Sequence, residues 1–166
     1  MMGVYGSFTG TVMDIQDFWR EAGEPAGCVK LMTLADSRGD TANFLVMPDT
    51  YFVDHALVKG ADIVTGFYDE AAPVPMIYPP QYVAVVMAKS TQGRQVTVDY
   101  FGRDLISSDG DLKLNIGPDT AVVLENGQAF SGRPIGRDLV VVYGPVTRSI
   151  PAQTTPYQIV VLCPPM

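Results

Sequence analysis

Apolar residues along this chain come in short runs of about five to eight, separated by Gly, Pro, Asp and Ser, with no long stretch of helical period. Runs of that length bounded by turn formers read as β-strands. Five are expected in the first half: Thr9–Phe18, Cys28–Ala35, Asn43–Met47, Asp62–Tyr68 and Tyr82–Lys89. Asp36-Ser37-Arg38-Gly39-Asp40 between the second and third has the composition of a hairpin turn. The second half offers Val96–Phe101, a turn at Asp109-Gly110, then Leu112–Ile116, Asp138–Tyr143 and Gln158–Cys163. Asp17–Ala22 has room for one helical turn before Gly23, Pro25 and Gly27 stop it.

The pattern repeats. Pro48-Asp49-Thr50 returns as Pro118-Asp119-Thr120, and Gly60-Ala61-Asp62-Ile63-Val64 as Gly136-Arg137-Asp138-Leu139-Val140. A tyrosine follows each, Tyr68 and Tyr143. A Pro-rich loop comes next, and then Tyr82–Ala88 matches Tyr157–Cys163. Matches that keep one order point to internal duplication. Ser90-Thr91-Gln92-Gly93 is the natural linker, so the expected modules are 1–90 and 91–166. Five short strands with a longer excursion between the third and fourth is the order of an OB-type barrel. The expectation is therefore an all-β chain of two tandem OB-like small β-barrel modules, with a β-sandwich as the alternative. Asp49–Lys59 would stand where such barrels usually carry a helix.

The run PDTYFVD…GADIVTGFYD…PVPMIYPPQYVAVVMAK, with YGPVTRSIPAQTTP later, resembles β-rich repeat modules of Firmicutes proteins. Those modules often accompany surface-layer-homology or copper-amine-oxidase N-terminal-like segments. The resemblance covers most of the chain and implies no catalytic residue. It also implies a bacterial cell-envelope setting, whereas Met1–Gly10 has neither the basic nor the apolar region of a signal peptide, which makes the cytoplasm the default.

Composition narrows the partners. The net charge of −7, with 11 Lys and Arg against 18 Asp and Glu, disfavours nucleic acid and anionic membrane surfaces. Cys28 and Cys163 lie in different halves; a disulfide between them is one reading, and two small buried hydrophobes in a reducing compartment is the favoured one.

Among candidate sites the Pro-rich loop Ala72–Tyr82 stands out, because it is apolar where a connecting loop is usually polar. Pro75, Met76, Ile77, Tyr78, Pro79, Pro80 and Tyr82 are its candidate binding residues. Proline limits the entropy such a loop loses on docking. The same residues would also serve as packing over a barrel mouth or between copies. Its counterpart Thr147–Pro156 is more polar.

The other candidates favour structural readings. His55 is the only histidine, and adjacent Asp54 would face the other way on a strand. One His, two separated Cys and eight scattered Met give no transition-metal spacing. Asp36, Asp40, Asp109 and Asp111 fall in turns, where Asp bonds its own backbone. The repeated pairs Asp49/Asp119 and Asp62/Asp138 suit turns better than an acid–base site, since both copies carry them. Arg38-Gly39-Asp40 spells an adhesion tripeptide, a short match that chance supplies and that here sits in a turn. No nucleophile triad, phosphate loop or dinucleotide fingerprint is present, and no cofactor or metal is implied.

The function expected is thus a non-catalytic structural or protein-interaction module that self-associates, with a homo-oligomer or another protein as partner. The alternative is a binder of a neutral small molecule or glycan through the barrel face and Pro loop. An enzyme is the third reading.

Overall fold

The structure is a computed structural model, and it describes residues 2–19, 21–23 and 26–164. The chain divides into two compact units. The first module is Tyr5–Ser90; the second is Thr91–Met166 together with Met1–Val4. The N-terminal residues are tied to the second module by Gly3, whose N–H donates to Asp138 Oδ1 at 3.0 Å.

The first module contains β1 (Tyr5–Asp17), β2 (Lys30–Ala35), β3 (Thr41–Val46), β4 (Tyr51–Phe52), β5 (Ile63–Asp69), β6 (Gln81–Val83) and β7 (Val86–Lys89). They form one sheet in the order β4-β7-β5-β1-β2-β3-β6. The second module contains β8 (Gln95–Phe101), β9 (Leu112–Leu114), β10 (Ala121–Leu124), β11 (Arg137–Tyr143), β12 (Ala152–Thr154) and β13 (Gln158–Leu162). Here the order is β10-β13-β11-β8, with β12-β9 as a separate pair.

The chain is all-β, but the OB-like barrels expected from strand order are not what it forms: it reads as a β-solenoid of about three turns, with internal repeat-like stacking. Strand count and order carry no pairing direction, and direction is what the sequence reading lacked. Returning strands lie parallel to earlier ones in both modules: β6 on β3, β7 on β4, β12 on β9 and β13 on β10. Strands β4, β10 and β12 are not among the expected strands, and β4 and β12 span only two and three residues. The expected strand Tyr82–Lys89 divides into β6 and β7 around Ala84 and Val85. The helical turn expected over 17–22 is not formed at its start, where β1 extends to Asp17. Arg20 and Pro25, which belong to that expectation, lie outside the described residues.

Alternation sets which side chains are buried. In β2, Met32 and Leu34 face inward, and in β3, Ala42 and Phe44 do. They pack with Val12, Val58, Val64, Ala84 and Met87. The second core gathers Phe101, Leu112, Leu114, Leu139, Val141, Ile159 and Val161. Burying each large side chain contributes about 1.5–3 kcal/mol.

The Pro-Asp-Thr turns occupy matching places, and the threonine does the work there. Thr50 Oγ1 accepts from Met47 N–H at 2.9 Å and donates to Ala84 O at 2.8 Å. Thr120 Oγ1 accepts from Gly117 N–H at 3.1 Å and donates to Pro156 O at 2.7 Å. Each joins its turn to the strand that returns beside it. Asp49 and Asp119 are exposed.

Ladder registers correct the sequence alignment of the other repeats. Gln81 stands opposite Asn43 as Gln153 stands opposite Lys113. Tyr51 N–H donates to Val85 O as Ala121 N–H donates to Tyr157 O. The counterpart of Tyr157 is therefore Val85 rather than Tyr82, and that of Tyr82 is Thr154. Likewise Ala61 N–H donates to Val12 O at 2.9 Å as Gly136 N–H donates to Phe101 O at 2.8 Å. Both residues take a left-handed backbone, φ 73° and 78°. Gly136 thus matches Ala61 and not Gly60, and Asp62 and Asp138 are not equivalent.

Candidate functional site

The end of β5, the loop after it and β6 enclose a cleft of about 250 Å³ in the first module. Its lining comes from Leu45, from Tyr68 and Asp69 at the end of β5, from Ala72–Pro75, and from Gln81–Val83 with Val85. Tyr68 and Tyr82 stack face to face, with centroids 3.7 Å apart and planes 7° from parallel. Behind them lies the fully buried Phe44, 6.2 Å from Tyr68 and 5.5 Å from Tyr82 between centroids.

Two strand glycines make room for these rings. A Cβ on Gly6 would stand 2.5 Å from Tyr68 Cζ, and one on Gly66 would stand 2.6 Å from Phe44 Cζ. Gly6 lies opposite Tyr68 in the β1–β5 ladder. Glycine inside a strand costs β-propensity and often marks such a close approach. The Tyr68 hydroxyl is pushed up to about 12, first by burial and then by its hydrogen bond with Tyr82.

The Pro loop divides in three. Pro75 and Tyr82 line the cleft. Pro79 and Pro80 are half-buried, and Pro80 O accepts from Asn43 N–H at 2.9 Å. Met76, Ile77 and Tyr78 form the apex and are 102%, 55% and 76% exposed. Among the described residues of the first module nothing covers that apex. The seven sequence candidates therefore fall into a cleft-lining set, a half-buried prolyl pair and an exposed apolar crest.

No family model, curated protein or solved structure matches this chain.

The remaining candidates are separate from the cleft. His55 is exposed, not on a strand but in a short 3-10 turn with Asp54, and both have positive φ. Its ring is edge-on to Tyr51 at 6.2 Å. Asp36 Oδ1 accepts from Arg38 N–H and Asp40 N–H at 2.9 and 3.0 Å, which closes the hairpin turn around Gly39. Asp109 Oδ1 accepts from Asp111 N–H at 2.9 Å. These carboxylates serve turns. Among the described residues no group of three or more His, Cys, Asp or Glu is placed to hold a metal ion. Asp62 is held below the usual carboxylate range, chiefly by the Lys59 backbone N–H, with Lys89 Nζ at 3.3 Å adding to it. Cys28 and Cys163 are both free and exposed, contrary to the expectation of buried thiols. Each sits just beyond a buried stretch, so the apolar neighbours that suggested burial belong to the adjoining strand. No helix among the described residues is long and apolar enough to cross a membrane.

Sequence reading placed Phe44, Gly66 and Tyr68 in expected strands, and singled out none of them, nor Gly6, as part of a site. The available signal was Gly66 inside Ile63–Asp69, a glycine amid β-branched and aromatic residues.

Proposed function

We propose that this chain is a non-catalytic interaction module that self-associates through the Pro loop and tyrosine cleft of its first module. The observation that carries the reading is the exposed crest Met76-Ile77-Tyr78 beside an apolar cleft, both on a loop anchored by backbone hydrogen bonds. Val74 and Val83 extend the exposed apolar surface. A contiguous patch of this kind is a mark of a contact surface, and tyrosine is favoured at such surfaces. The resemblance to Firmicutes repeat modules fits the same reading. The compartment is part of the proposal, cytoplasmic by default and envelope by resemblance, and cell fractionation decides it.

Sedimentation equilibrium of the wild type and of Ile77→Ser/Tyr78→Ser tests the function. The wild type is expected above its monomer mass of 17.9 kDa and the variant at it. Equal masses with equal melting temperatures would reject the loop as a contact. A second reading, a neutral small-molecule or glycan binder, is favoured by one observation: Gln81 and Asp69 stand at a cleft floored by Tyr82. That combination of polar groups and a ring suits a sugar, and a glycan panel read by protein-observed chemical shifts would reveal it.

A further inference from the structure

The cleft has one charge sign. Asp69 is the only charged side chain among its lining residues, and the exposed Glu70 follows it. The rest is apolar or aromatic apart from Gln81. At about 250 Å³ it lies just under the range of drug-sized ligand sites, so it fits a side chain or two better than a whole molecule. A complementary occupant has an apolar tip and a cation close to it.

The second module carries such a group. In the loop between β11 and β12, Ile150 is 100% exposed and Arg148 beside it is exposed. The loop is braced from within. Thr147 Oγ1 and Ser149 Oγ are hydrogen-bonded at 2.6 Å, Ser149 Oγ donates to Pro151 O at 2.7 Å, and Gln153 N–H donates to Thr147 Oγ1 at 2.9 Å. A braced tip loses little freedom on docking.

We infer that the Arg148–Ile150 tip of one copy seats in the first-module cleft of a second copy. Ile150 enters the apolar cleft, and Arg148 meets Asp69 and Glu70. The Met76–Tyr78 crest covers the rim. The contact is head-to-tail, joining unlike surfaces, so it closes into a ring or propagates. This inference rests on the self-association proposed above and names the partner of that site.

The test is sedimentation equilibrium on the full chain at low and high salt, with melting temperatures as the fold control. Arg148→Glu and Ile150→Ser are each expected to weaken association about tenfold or more, and salt is expected to weaken that of the wild type. Val83→Lys, with Asp69→Lys as a second variant of the cleft, is expected to do the same. An equimolar mixture of Val83→Lys and Arg148→Glu retains one intact cleft and one intact tip, so it is expected to associate where neither variant does alone. If Ile77→Ser/Tyr78→Ser disperses the assembly while Arg148→Glu and Ile150→Ser do not, the tip is not the occupant, and the loop contact stands without it. A wild type that is monomeric at every concentration overturns both. Arg148 and Ile150 are surface positions, so their variants decide the matter even if both cleft variants fail to fold.

Discussion

The two modules share their Pro-Asp-Thr turns and differ in the ground beneath the Pro loop. In the first module Tyr82 stacks on Tyr68 over Phe44, with Gly6 and Gly66 admitting the rings. In the second, Tyr143 keeps the place of Tyr68, but Thr154 stands where Tyr82 would be. Thr154 is buried and its Oγ1 donates to Pro145 O at 2.9 Å. A threonine tied to the loop backbone cannot present a ring, and Val141 fills the place of Gly66. The loops above differ to match. One exposes the run Met76, Ile77 and Tyr78, while the other exposes the apolar tip Ile150 on a loop knit together by Thr147, Ser149 and Gln153. A duplicated framework has kept its threonine bonds in both copies and carries the stacked tyrosine pair in one.

Substitutions can break that comparison. The largest effect is expected from Gly66→Ala, because its Cβ would press on buried Phe44. Overpacking of this kind costs about 1–3 kcal/mol, to be read from urea denaturation. An unchanged midpoint would mean that the glycine is not needed for the rings. Next come Thr50→Ala and Thr120→Ala, each losing one hydrogen bond within its turn and one that joins the turn to the returning segment. Each should cost about 1–2 kcal/mol. Costs differing by more than about 1 kcal/mol would deny the two turns an equal role.

These paired threonines show what was legible. Pro-Asp-Thr was visible in both halves, and the turns do correspond, although the aspartate that drew notice makes no part of the threonine bridge. Hydrophobic runs located β2, β3, β5, β8, β9, β11 and β13, because alternation or a continuous apolar stretch reports burial directly. They could not report that β6 returns parallel to β3, since pairing direction leaves no local mark. The same gap misplaced Tyr82 against Tyr157, two tyrosines alike in letter and different in register. Of the site, the loop was legible from its composition. The stacked floor was not, because it joins residues from β3, β5 and β6 that only the fold brings together.

A smaller effect sharpens the register. Ala61 adopts the left-handed backbone that Gly136 adopts at the matching bond. That conformation costs a residue with a Cβ about 1–2 kcal/mol, partly offset by the entropy glycine loses. Ala61→Gly should therefore stabilise, and Gly136→Ala destabilise, by about 0.5–1 kcal/mol in thermal melts. Destabilisation by Ala61→Gly, or stabilisation by Gly136→Ala, would show that the modules are not in this register.

The smallest effect is in titration. Tyr68 ionises at about 12 in the folded chain against an ordinary value of 10.0. A raised folded value favours the neutral phenol, so its contribution to stability is full below pH 10 and fades as pH rises toward 12. Absorbance titration at the phenolate band should show one tyrosine lost from the alkaline end of the curve in Tyr68→Phe. A loss near pH 10 instead would mean the ring is not shielded.

The central claim is that the tyrosine cleft of the first module is the surface at which this protein associates, while the equivalent ground in the second module is structural. An amide-resolved NMR dilution series tests it most directly. Leu45, Asp69, Gln81 and Val83 around the cleft are expected to shift with protein concentration, while Leu114 and Tyr143, which stand where Phe44 and Tyr68 stand in the first module, stay fixed. Shifts at Leu114 and Tyr143 with none around the cleft, or no concentration dependence anywhere, would contradict the account.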